Sequence, residues 1–133
     1  MTLYLKFGGR PAFAQAMNQL MQRLRVDPDF SRAAADISIK HQDDLCEFLI
    51  FLTGGSPIYE NTPVSELLSA LCQTDRAFDA FVDHFAAALK SHNVPVEATE
   101  ELRSLMEKIR CYAVSDHDSR ENFDRPAADE MVA

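Results

Sequence analysis

The chain has 133 residues, 47% of them apolar and 26% charged, enough to bury the core of one soluble domain. A formal charge of −8 argues against a nucleic-acid partner, which needs a cationic stripe, and against an anionic membrane surface. The longest aliphatic or aromatic run, Phe48 to Leu52, is far shorter than a membrane span, and Met1-Thr2-Leu3-Tyr4 has no secretion-signal character.

In chain order the hydrophobic pattern is helical, with no convincing strand alternation. After Gly8-Gly9-Arg10, Pro11 suits the opening turn of a helix whose stripe is Phe13, Met17, Leu20, Met21 and Leu24. Asp27-Pro28 ends it, and a short helical stretch runs on to about Asp36. Ser38 is the expected N-cap of a second long helix with Leu45, Phe48, Leu49 and Leu52 inward. Gly54-Gly55-Ser56-Pro57 stops it. Thr62-Pro63 is expected to cap and open a short helix bearing Val64, Leu67, Leu68 and Leu71.

Thr74-Asp75 opens a further long helix with Phe78, Phe81, Val82, Phe85 and Leu89 on one face, and Asn93-Val94-Pro95 breaks the chain again. The last of five expected principal helices carries Glu97, Glu100 and Glu101 near its positive end, with Leu102, Leu105, Met106 and Ile109 as its stripe. Beyond about residue 113 the pattern fails. Residues 1–113 therefore read as one domain and 114–133 as an acidic, disordered tail that aids solubility. Cys46, Cys72 and Cys111 match no metal spacing and read as reduced thiols of a cytoplasmic protein.

The local sequence then resembles the truncated haemoglobins, especially the first group. Leu3-Tyr4-Leu5-Lys6-Phe7-Gly8-Gly9 is similar to that family's opening. Phe48-Leu49, Gly54-Gly55 and Tyr59 look like its helix end and turn. Thr74-Asp75, Phe78-Asp79 and Ala86-Ala87-Ala88-Leu89 look like its next long helix, and Asn93-Val94-Pro95 resembles its final turn. The likeness covers about residues 2–113 and implies an all-α, two-over-two helical sandwich. It also implies haem between the distal helix and a short proximal helix, with a proximal histidine on iron.

Three positions depart from that pattern. Leu68 falls where the resemblance requires the proximal histidine, whether counted from Gly54-Gly55 or back from Thr74-Asp75. The family's paired phenylalanines fall on Ala33 and Ala34, and its distal tyrosine falls near Met21. His41 falls on the distal position facing the iron, and it lies four residues before Leu45, along the buried stripe. It is the one candidate iron ligand, and Met21, Leu45, Phe48, Tyr59, Leu68 and Phe81 are the other expected lining residues. With its partner residues missing, His41 is read first as a histidine at the core's edge, its second nitrogen meeting water or a carboxylate. Cys72, one turn past Leu68, reads as a small buried hydrophobe rather than a thiolate ligand.

Other chemistry is unsupported. There is no Gly-x-Ser-x-Gly, no P-loop lysine and no i, i+4 pairing among His84, His92 and His117. Asp43-Asp44-Glu47 reads as a solvated helix face rather than a cation site. The expected function is a truncated-globin-like module with a degenerate haem pocket, haem-free or weakly haem-binding, acting on a small apolar ligand or a protein partner as a monomer or homodimer. The alternative is a haem protein binding O2 or NO through His41. No enzyme is expected; family-type NO dioxygenase or peroxidase activity would require bound haem.

Overall fold

A computed structural model describes residues 2–90 and 94–114 of the chain. Eight helices, and no strand, occur among the described residues. They are α1 (Leu3–Lys6), α2 (Gly9–Val26), α3 (Ser31–Asp36), α4 (Ile39–Leu52), α5 (Val64–Ser69), α6 (Asp75–Lys90), α7 (Val96–Glu107) and α8 (Arg110–Ala113). None is long and apolar enough to cross a membrane. The reading of 114–133 as a disordered tail concerns residues that, beyond Val114, lie outside those described.

The long helices stack in two layers. α2 packs against α4 within one layer and against α6 of the other, and α6 packs against α7. This two-over-two sandwich follows from the stripes: Phe13, Met17, Leu20, Met21 and Leu24 of α2 are all buried, as are Phe78, Phe81, Val82, Phe85 and Leu89 of α6. α5 docks on α4 and on α8. Non-polar burial on this scale is the dominant favourable term in folding.

Several element boundaries have identifiable chemistry. Ser38 accepts from the His41 backbone N–H at 3.0 Å, the expected N-cap of α4. Thr74 does the same for Ala77 at the start of α6, at 3.1 Å. Gly8, at φ +106°, makes the α1–α2 corner in a conformation that disfavours any side chain. α1 was absent from the periodic pattern. Thr2 caps it, and the Tyr4 N–H bonds the Thr53 carbonyl at 2.8 Å, tying it to the end of α4.

Two boundaries differ from expectation. The N-cap of α5 is Pro63, not Thr62, whose hydroxyl is engaged elsewhere. The last helix is divided at Lys108–Ile109 into α7 and α8. Across the break, Arg110 turns back to Asp75, Asp79 and Glu107 and lies 4.7 Å over the Phe78 ring, fixing α8 against α6.

Candidate functional site

The cleft between α4 and α5 gathers most of the expected site residues. From α4, His41 stands at its mouth and Leu45 and Phe48 follow inward. From α5, Leu67 and Leu68 turn into the core. Leu45 and Leu68 have no exposed surface. Leu68 presents only carbon and hydrogen at this point, with no lone pair for a metal. Phe81 and Met21 are buried on α6 and α2 as core residues.

His41 does not face α5 unopposed. Its Nε2 lies 3.4 Å from Oε2 of Glu66, so a distal-helix imidazole meets a carboxylate from the short helix. The imidazole is 30% exposed and the Glu66 side chain 60%, so this is a contact at the cleft's mouth. The expectation that the ring's second nitrogen meets water or a carboxylate corresponds to this placement, with Glu66 as the carboxylate.

Depressions open at either end of the cleft. One, of about 460 Å³, has Ala33, Ile37, His41 and Ala70 in its wall together with the charged Asp29, Arg32 and Asp36. The other, of about 470 Å³, lies between α4, α5 and α8 and is walled by Phe48, Phe51, Leu52, Val64, Ile109 and Tyr112, with Ser65 at its edge. Along both helices, Leu45 and Leu68 fall between the two. No aromatic ring comes from positions 33 and 34. The nearby Phe30 instead packs edge-on against His84, with ring centres 5.8 Å apart.

Asp44 corrects the sequence reading. It is buried rather than solvated, and its Oδ2 accepts from Lys40 Nζ at 2.7 Å and from the Thr62 hydroxyl and N–H at 2.5 and 3.3 Å. The Lys40 bond first, and then the Thr62 hydroxyl, hold the carboxyl down to about 2 from an ordinary 3.8. The Tyr59 hydroxyl donates to the Thr62 carbonyl at 2.5 Å, and its ring packs on Phe48 at 5.5 Å. Burial, then the Asp44 charge, pushes that phenol up to about 12. This network anchors the loop before α5. Only Lys40, four residues before Asp44, was a local signal. Glu47 is likewise engaged, by Arg10 of α2 at 2.5 and 3.2 Å.

Cys72 is fully buried, and its thiol donates to the Leu68 carbonyl at 3.3 Å. Burial pushes it up to about 12, so it is a protonated thiol at neutral pH and no anionic ligand. His84 bonds Asp27 through Nε2 at 2.7 Å and accepts at Nδ1 from Arg23 Nε at 3.2 Å, a corner remote in sequence from the cleft. His92 and His117 lie outside the described residues. Among the described residues no group of three or more His, Cys, Asp or Glu could hold a metal ion.

Two crossed helix pairs, with a short helix set against the distal one across a cleft, define a truncated-globin architecture. The chain belongs to the bacterial-like globin family, whose model matches residues 2–115. It is 30% identical over 103 residues to the group 1 truncated hemoglobin GlbN of Nostoc sp. (strain MUN 8820), covering 74% of this chain and 85% of that one. The fold superposes on the truncated hemoglobin of Tetrahymena pyriformis in its Fe(III) form with a TM-score of 0.78, at 23% identity, over 87% of this chain and all (100%) of that one. The 2/2 hemoglobin of Synechococcus sp. PCC 7002, which carries covalently attached heme, gives a TM-score of 0.72 at 20% identity, over 83% and 94%. The chain is thus a group 1 truncated globin.

Proposed function

We propose that this truncated globin works without a firmly held haem, as a small ligand-binding or regulatory module. The observation that carries the reading is Leu68, a fully buried hydrocarbon where the resemblance to the truncated haemoglobins expects the proximal donor. Losing that donor removes the iron–nitrogen bond, which holds haem in a pocket otherwise built on apolar contact. Cys72, beyond the end of α5, does not make up the loss: it is a protonated thiol bonded to the Leu68 carbonyl. On this donor set the residues of the short helix do not fit a porphyrin iron. Residual, weak haem association through burial of an apolar ring is compatible with the reading.

A second reading rests on His41. Among the described residues its imidazole is a nitrogen donor at the cleft, and swinging away from Glu66, 3.4 Å distant, would free it for a metal. In that case O2 or NO binding, and any dioxygenase or peroxidase turnover, would belong to a haem held from the distal side. The two readings separate in a hemin titration of the wild type and His41→Ala. The module reading expects a shallow, non-stoichiometric rise in absorbance for both. Saturation at one equivalent that disappears in His41→Ala overturns it. A cytoplasmic location, where three unpaired cysteines stay reduced, suits either reading.

A further inference from the structure

The depression between α4, α5 and α8 differs from its neighbours in charge. Its walls are Phe48, Phe51, Leu52, Val64, Ile109 and Tyr112, and none of its lining residues is Asp, Glu, Lys, Arg or His. The depression at the opposite end of the cleft carries Asp29, Arg32 and Asp36, and one between α6 and α7 carries Asp79, Asp83, Arg103 and Glu107. In a chain with 34 charged side chains (13 basic, 21 acidic), a charge-free recess of about 470 Å³ is selective by composition. That volume lies within the range of small-molecule sites, about 300–1,000 Å³.

Its walls favour rings. Phe48 and Phe51 have ring centres 6.4 Å apart and both lie against Tyr59, so one wall is a fixed aromatic cluster. Tyr112, 55% exposed, forms the outer wall from α8. Offset and edge-on contacts with such rings reward a flat unsaturated ligand. The Ser65 and Tyr112 hydroxyls at the edge bond to no side chain among the described residues, leaving polar atoms for a hydrogen-bonding end. A charged group would lose its water here and meet no counter-charge.

We infer that this groove is a binding site for an uncharged, ring-bearing small molecule with at most one neutral hydrogen-bonding group. The inference rests on the ligand-binding reading and gives that module its ligand class.

The test uses the full chain and two fluorescent probes that differ by one charge, neutral N-phenylnaphthylamine and its anionic counterpart anilinonaphthalene sulfonate. The neutral probe should saturate at one equivalent, and the sulfonate should bind at least about tenfold more weakly. Ser65→Trp, a rim substitution that fills the groove, should weaken the neutral probe at least about tenfold, while Arg32→Trp in the opposite depression should leave it unchanged. Should Ser65→Trp lose its helical circular dichroism, Val64→Asp, which puts a charge in the wall, takes its place with the same expectation. Equal affinity for both probes, or indifference to the groove variants, overturns the site. A concentration-dependent dimer abolished by the same variants also overturns it, assigning the groove to a second copy. The naphthyl signal is independent of the Soret band, so failure here is distinguishable from failure of the haem-free reading.

Discussion

His41 of α4 and Glu66 of α5 meet Nε2 to Oε2 at 3.4 Å, joining the distal and short helices at the mouth of the cleft. Behind that contact, Leu45 of α4 and Leu68 of α5 have no exposed surface. A polar contact thus stands at the mouth of the cleft, and buried aliphatic side chains lie behind it.

The aliphatic part can be weighed directly. Leu68→Ala removes buried methyl groups from a site walled on all sides and should cost about 2–5 kcal/mol of unfolding free energy. Urea denaturation of both proteins gives the difference. A loss well under 1 kcal/mol would mean that Leu68 faces open space.

Asp44 ties the loop before α5 to α4, and its role depends on pH. Its folded-state pKa, about 2, lies below the ordinary 3.8, so its stabilising contribution is present above 3.8 and is lost as the pH falls through 2. Asp44→Asn should be less stable than wild type at neutral pH, with the gap closing across that acid window. Thermal unfolding measured between neutral and acid pH checks the convergence.

Gly55 allows the α1 segment to sit on the end of α4. A β-carbon there would lie 2.5 Å from the Tyr4 ring and 2.7 Å from Ile50 Cγ2. Gly55→Ala should therefore lower stability by about 1–3 kcal/mol through overpacking. Gly55→Ala combined with Tyr4→Ala should recover part of that loss, since the clash is with the ring.

Most of the fold was legible because it is written in local periodicity. The inward residues of α2 and α6, and the caps Ser38 and Thr74, needed only their own neighbours in sequence. The α7–α8 break was not legible: the apolar stripe runs through it, and the groups that hold Arg110 include Asp75 and Asp79, over 30 residues away. Leu68 stood out because the resemblance expects a histidine at its position. Glu66 opposite His41, and Thr62 against Asp44, are partners across loops, which spacing along one helix cannot reveal.

The corner made by His84 has a defined proton arrangement. Arg23 donates to Nδ1, so that nitrogen carries the lone pair, and Nε2–H donates to Asp27. The His84 bond is the main cause holding the Asp27 carboxyl below its ordinary range. Nitrogen-15 spectra of the neutral imidazole should show the Nε2–H tautomer, and His84→Phe should raise the Asp27 titration. An Nδ1–H tautomer would contradict the arrangement.

The decisive measurement is a parallel hemin titration of wild type and Leu68→His, followed by Soret absorbance through one equivalent. Wild type should show no break at equivalence, and restoring an imidazole to the short helix should sharpen the curve and shift the band. A sharp wild-type break at one equivalent, unchanged in Leu68→His, would contradict the claim that position 68 decides whether this globin holds haem.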